Sequence, residues 1–182
     1  MVLTAMRPPP FASLPQQSLL GLTPDALAPL VGGTGRSKQI WEIIRRGNDP
    51  FVEDSGIGLK ARAALESSCT GLQYEVSRSS VSSCGTRKLL VELERDSVET
   101  VIIPSDNENF STVCVSSQVG CRQACSFCMT GTMGLLRSLR TEDILAQMHA
   151  AQSAALAHRM PPIRNVVFMV HALAPPTRDR SR

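Results

Sequence analysis

Residues 114–131 read CVSSQVGCRQACSFCMTG and place four cysteines within fifteen positions. Cys121, Cys125 and Cys128 form a C-x3-C-x2-C run, and Cys114 stands seven residues before it. Val113 and Val115 flank Cys114, as expected of a strand. Gly120, Gly131 and Gly134 surround the run itself, which has little apolar periodicity and reads as a loop. Crowded thiols in a sizeable mixed chain point to metal or redox chemistry in a reducing compartment.

Downstream of the loop, TEDILAQMHAAQSAALAHRM has the pattern of a long helix. Thr141 is the expected cap, Glu142 and Asp143 suit the positive end of the dipole, and Arg159 lies near the other end. After Pro161-Pro162, IRNVVFMV reads as a buried strand. Strand, loop, helix and strand make a βαβ unit, which requires a parallel sheet or barrel.

Upstream, the period is two. LQYEVSRSSV, RKLLVELE and SVETVIIP are predicted strands joined by SSCGT and ERDS turns, an antiparallel meander. Earlier still come three predicted helices. LLGLTPDALAPLVGG carries Thr23 as N-cap and Pro24 at the first helical position, and Gly32-Gly33 ends it. GRSKQIWEIIRRGND is amphipathic, and LKARAALESSC follows. The expected organisation is a disordered or targeting tail (1–17), a helical accessory region (18–70) and a small antiparallel sheet (71–105). A core containing the cysteine loop (106–170) and a patternless tail (171–182) complete it.

Composition narrows the class. With 42% apolar and 19% charged residues, the 182-residue chain is expected to be globular. A net charge of +3 gives no strong field for nucleic acid. No apolar run approaches the ~20 residues needed to span a bilayer, so no membrane partner is expected. The opening MVLTAMRPPPFASLPQQ suits a disordered tail or an Arg-poor organellar transit peptide.

The loop can be weighed against two metal chemistries. Structural zinc needs four ligands, usually as two pairs, and His149, His158 and His171 lack ligand spacing. An iron–sulfur cubane suits three cysteines from one loop and leaves one iron free for a substrate or cofactor. Phe127 would either shield such a cluster, pack beneath an adenine, or simply fill core.

C-x3-C-x-aromatic-C after a first strand and before a first helix resembles the radical S-adenosylmethionine (SAM) signature. ETVIIP, CVSSQVGC, CSFC-x-TG, GTRKLLVEL and LLGLTPDAL are similar to the adenine-C2 RNA methyltransferases of the RlmN type, from about Leu19 to Met169. The resemblance implies an α+β accessory region followed by an α/β partial (β/α) barrel. It implies a [4Fe–4S] cluster on Cys121, Cys125 and Cys128, with Phe127 beside bound SAM. The substrate implied is adenosine in large-subunit rRNA, and often tRNA. An electron donor such as flavodoxin or ferredoxin is implied as a further partner. The protein is expected to be monomeric, in the cytoplasm or, if the tail is a transit peptide, in a plastid or mitochondrion.

The implied mechanism uses a radical made from SAM to activate a methyl group carried by a cysteine near the family's C-terminus. A base then deprotonates the adenine carbon, and ETVIIP maps that role to Glu99. A second cysteine resolves the RNA–protein adduct, and CVSSQVGC maps it to Cys114. From the residues alone, Glu99 is a strand-end carboxylate and Cys114 an ordinary core thiol. Arg36, Lys38, Arg45 and Arg46 are candidates for backbone contacts to RNA. Cys69 and Cys84 match no motif.

The chain also departs from the pattern. No cysteine follows Cys128, and VVFM runs into VHALAPPTRDRSR where the family has a glycine-glutamate motif. The expectation is a C-terminally truncated, incomplete barrel, inactive by itself. The alternative is a non-catalytic short isoform that binds RNA or metal.

Overall fold

The computed structural model describes residues 17–123 and 134–169. A two-residue strand, β1 (Gln17–Ser18), and a 3-10 turn lead into helix α1 (Pro24–Val31). Thr23 caps α1 by accepting the Ala26 N–H at 3.2 Å, and Gly32 ends it at a positive φ of 81°. Helices α2 (Thr34–Arg45) and α3 (Leu59–Ser68) follow, and α3 runs into β2 (Cys69–Thr70), which pairs in parallel with β1. All three helices match the expected positions.

The sheet begins with β3 (Glu75–Val81), β4 (Arg87–Glu92), β5 (Ser97–Pro104) and β6 (Ser111–Ser116), each antiparallel to the next. A short strand β7 (Gln118–Gly120) leads to the cysteine loop, and β8 (Leu135–Ser138) pairs back onto it. Helix α4 (Thr141–Ala157) then delivers β9 (Ile163–Met169) parallel to β6. The strand order is β3-β4-β5-β6-β9, so the meander and the βαβ unit share one mixed five-stranded sheet.

One face of that sheet makes the core. Leu89, Val91, Val98, Ile102, Val113 and Val115 are buried in one cluster with Leu27, Ile40 and Leu65 of the helices. Each such side chain removed from water contributes roughly 1.5–3 kcal/mol. Helix α4 meets the sheet through Ala146, Ala150 and Ala151, small residues that allow a close approach. On its other side the α2–α3 connection touches it: a Cβ on Gly47, at φ 79°, would lie 2.5 Å from the Ser153 nitrogen. Among the described residues no helix is long and apolar enough to cross a membrane.

Two expectations change. The cap of α4 is Arg140 rather than Thr141, because the Asp143 carboxylate accepts the Arg140 N–H at 2.9 Å and pulls the preceding residue into the cap position. Strand β9 is not buried. Val166, Val167 and Phe168 are 43%, 38% and 62% exposed, because among the described residues β9 has a neighbour only on its β6 side.

Candidate active site

Cys114 lies on the sheet face opposite the α4 core. Its row crosses four strands, with Lys88 opposite Val101, Val101 opposite Cys114, and Cys114 opposite Val167. Glu99 is two residues from Val101 on the same strand, so strand alternation puts it on that same face. Diagonal neighbours of this kind are about 7–8 Å apart. Sheet register therefore brings together two residues fifteen apart in sequence.

Their environments differ. The Glu99 carboxylate pairs with the Lys88 ammonium at 2.9 Å. Cys114 is a free, buried thiol, and burial pushes its pKa up. That is the opposite of the accessible, easily ionised thiol expected of a resolving cysteine.

The cysteine loop follows the short strand β7, two residues beyond the end of β6. Its two ends are tied where the Cys121 N–H donates to the Gly134 carbonyl at 3.0 Å, beside the Gly120–Leu135 pair. The approach is so close that a Cβ on Gly120, at φ 76°, would stand 1.8 Å from the Gly134 oxygen. Cys121 is buried at this mouth, and its sulfur accepts the Gln123 N–H at 3.4 Å. Cys125, Phe127 and Cys128 lie outside the described residues. Among the described residues no three His, Cys, Asp or Glu side chains gather as a metal site. Cys121 is therefore the one member of the C-x3-C-x2-C run among the described residues, and thiolate is a soft ligand of the kind that suits iron.

Two buried polar groups hold this end of the sheet. The Gln147 amide on α4 accepts the Ser116 N–H at 2.8 Å and donates to the Ser116 carbonyl at 3.0 Å. It also accepts the Thr100 hydroxyl at 3.2 Å, while the Ser116 hydroxyl donates to the Glu99 carbonyl at 3.1 Å. The exit arm of the loop is fixed by Arg137, which bonds Asp96 at 2.6 Å and Asp143 at 2.9 Å. Burial opposes charge on Asp143, but the hydrogen bonds from Arg137 and Arg140 outweigh it and hold its carboxyl below the usual range.

No protein-family model matches the chain. Curated relatives do. The dual-specificity RNA methyltransferase RlmN of Geobacter sulfurreducens is 39% identical over 155 residues, covering 82% of this chain and 41% of that protein. RlmN of Rhodospirillum rubrum is 38% identical over 152 residues, covering 78% of this chain and 35% of that protein. A crystal structure of a radical SAM methyltransferase from Sphaerobacter thermophilus superposes with a TM-score of 0.68 at 30% identity, over 86% of this chain and 47% of that one. Over the matched segment, the chain is similar to the RlmN methyltransferases.

The chain spans about two fifths of the length of the RlmN relatives it matches. Within the matched segment, Glu99 and Cys114 share one sheet face, and the cysteine loop opens from the neighbouring β7–β8 hairpin. The basic residues of α2 do not join them. Arg36 donates to the Val31 and Gly32 carbonyls at the end of α1, and Arg45 and Arg46 pair with Glu42. Lys38, Trp41 and Arg46 instead line a cleft of about 870 Å³ between α2, α4 and β9, together with Leu145, Met148 and Arg164. Sequence reasoning missed Gln147 and Lys88. Gln147 had a signal, an amide within the Asp143–Ala146–Ala150 stripe that faces the sheet. Lys88 had none, since only register puts it beside Glu99.

Proposed function

We propose that this chain carries the cluster-binding and adduct-resolving part of a radical-SAM methyltransferase that modifies C2 of adenosine in large-subunit rRNA or in tRNA. The observation that carries the reading is the convergence of Glu99 and Cys114 on one sheet face, near the end of β6, with the short strand β7 then leading into the cysteine loop. In this reading β6, α4 and β9 are the first βα unit of a partial (β/α) barrel. Their parallel pairing supports it.

Cys121, Cys125 and Cys128 would hold a [4Fe–4S] cluster, which with SAM supplies the one-electron chemistry an unreactive aromatic carbon needs. Phe127 would pack against the bound cofactor. Glu99 is the base that takes the proton from the adenine carbon. Cys114 supplies the sulfur that resolves the covalent adduct. Burial keeps Cys114 a neutral thiol in the RNA-free protein, which prevents premature attack. No cysteine follows Cys128 among these residues, so no methyl-carrying thiol is assigned here.

Anaerobic iron–sulfide reconstitution tests the reading, with iron counting and EPR. Some four irons per chain are expected for a cubane, lost on replacing Cys121, Cys125 or Cys128 with Ala. Stoichiometric thiolate zinc without iron uptake would overturn it. The 182-residue chain alone is expected to leave RNA unmethylated in a SAM assay.

A further inference from the structure

Glu99 does not face solvent alone. Its carboxylate is 14% exposed and engaged by Lys88, whose own side chain is 52% exposed. A half-exposed pair of this kind contributes only about 0–1 kcal/mol, so stability is a weak reason for it. It has a chemical consequence instead. The Lys88 ammonium sits on one oxygen of that carboxylate and so competes with a nucleobase for it.

Lys88 also stands in the row of Cys114, one strand beyond Val101, so it borders the surface on which a base would lie. Exposed Arg78, opposite Leu90 on neighbouring β3, adds a second cation to the outer part of that face. The other basic residue of β4, Arg87, takes the opposite alternation and donates to the Ser79 hydroxyl at 2.8 Å. RNA reaching Cys114 over β3 and β4 thus meets cations first, then Glu99, then the thiol. Phosphate is the anion such a ligand brings, and a lysine binds it as a point charge.

We infer that Lys88 is a hand-over residue: its ammonium holds the Glu99 carboxylate in the RNA-free protein and moves to a backbone phosphate of the bound RNA, which frees Glu99 to meet the adenine. The inference rests on the role proposed above for Glu99. It makes Lys88 a positioning residue, because it acts on the base through Glu99 and not on the reacting atoms.

A double-mutant cycle on RNA binding tests it without cluster or SAM. The probe is a short RNA hairpin with an adenosine in its loop, titrated by fluorescence anisotropy at several salt concentrations. Glu99→Gln releases Lys88 and is expected to tighten binding about two- to fivefold, the strength of one exposed ion pair. In a Lys88→Met background the same change is expected to have no effect. Lys88→Met alone should weaken binding and lower the salt slope by about 0.7–0.9, one phosphate contact, and Lys88→Arg should restore the slope. Equal tightening by Glu99→Gln in both backgrounds would mark general electrostatics and overturn the hand-over. So would an unchanged salt slope, or no binding of the hairpin by the wild-type chain. Iron reconstitution reports separately on the cluster reading, so the two fail by different measurements.

Discussion

Cys84 sits in the exposed turn between β3 and β4, where hydrogen bonds from Ser82 and Thr86 pull its thiol down to about 7. Cys114 is buried on β6, and burial pushes its thiol up. The two therefore differ in both access and ionisation, the quantities that govern thiol reactivity. At pH 7 iodoacetamide is expected to label Cys84 well before Cys114, with the Cys84 rate rising through about pH 7. Peptide mapping by mass spectrometry over a pH series checks this. Labelling of Cys114 at the Cys84 rate in native protein would mean that its strand opens readily. A sequence motif assigned Cys114 a role, but nothing in CVSSQVGC tells whether its sulfur meets water.

At the scale of elements, the end of β6 depends on α4. Gln147 is fully buried and satisfies both backbone groups of Ser116. Gln147→Leu keeps the bulk but removes the amide's hydrogen bonds to the Ser116 backbone and the Thr100 hydroxyl, each with a net contribution of about 0.5–1.5 kcal/mol. Urea unfolding is expected to show a loss of about 2–4 kcal/mol, with faster hydrogen exchange at the Ser116 amide. Gly120→Ala attacks the neighbouring hairpin, because its Cβ would overlap the Gly134 oxygen and the residue has a positive φ. A cost of about 1–3 kcal/mol for a strained non-glycine backbone is expected. Iron uptake on reconstitution should fall, while Gly35→Ala, which meets nothing within 4 Å, should leave uptake unchanged. The helices and the longer strands were legible in the periodicity of the chain, but the short pairs β1–β2 and β7–β8 were not. Their junctions were not, since a clamp such as Gln147–Ser116 joins residues 31 apart.

Across the whole molecule, His149 ties α4 to the helical region. Its Nε2 lies 3.0 Å from the Asn48 carbonyl oxygen and so carries the hydrogen, and Nδ1 accepts the Tyr74 hydroxyl at 2.6 Å. Burial lowers the His149 pKa and pushes the Tyr74 hydroxyl up to about 12. With His149 depressed in the folded state, the unfolded chain binds the proton first as pH falls. Its stabilisation is therefore present above the ordinary value of 6.5 and is lost as pH drops below it. Urea midpoints should fall between pH 7.5 and pH 5, and a His149→Gln variant should show a shallower fall. Strand β9 bears on the whole molecule too, through its exposed Val166, Val167 and Phe168. An apolar edge of this kind pairs with whatever reaches it. Concentration-dependent self-association is expected in analytical ultracentrifugation, and Phe168→Lys should reduce it.

The sequence by itself determined the local chemistry and the run of elements. Thr23–Pro24 starts a helix, period-two stretches make strands, and three close thiols on a glycine-bounded loop suit an iron–sulfur cluster. Each of these depends on neighbours within a few residues. Tertiary structure decided that the meander and the βαβ unit form one sheet, and that among the described residues β9 lies at its edge. It also decided that Cys114 is buried and that Lys88 stands beside Glu99. Those outcomes depend on strand register and on which faces meet, and both arise from contacts between residues far apart in the chain.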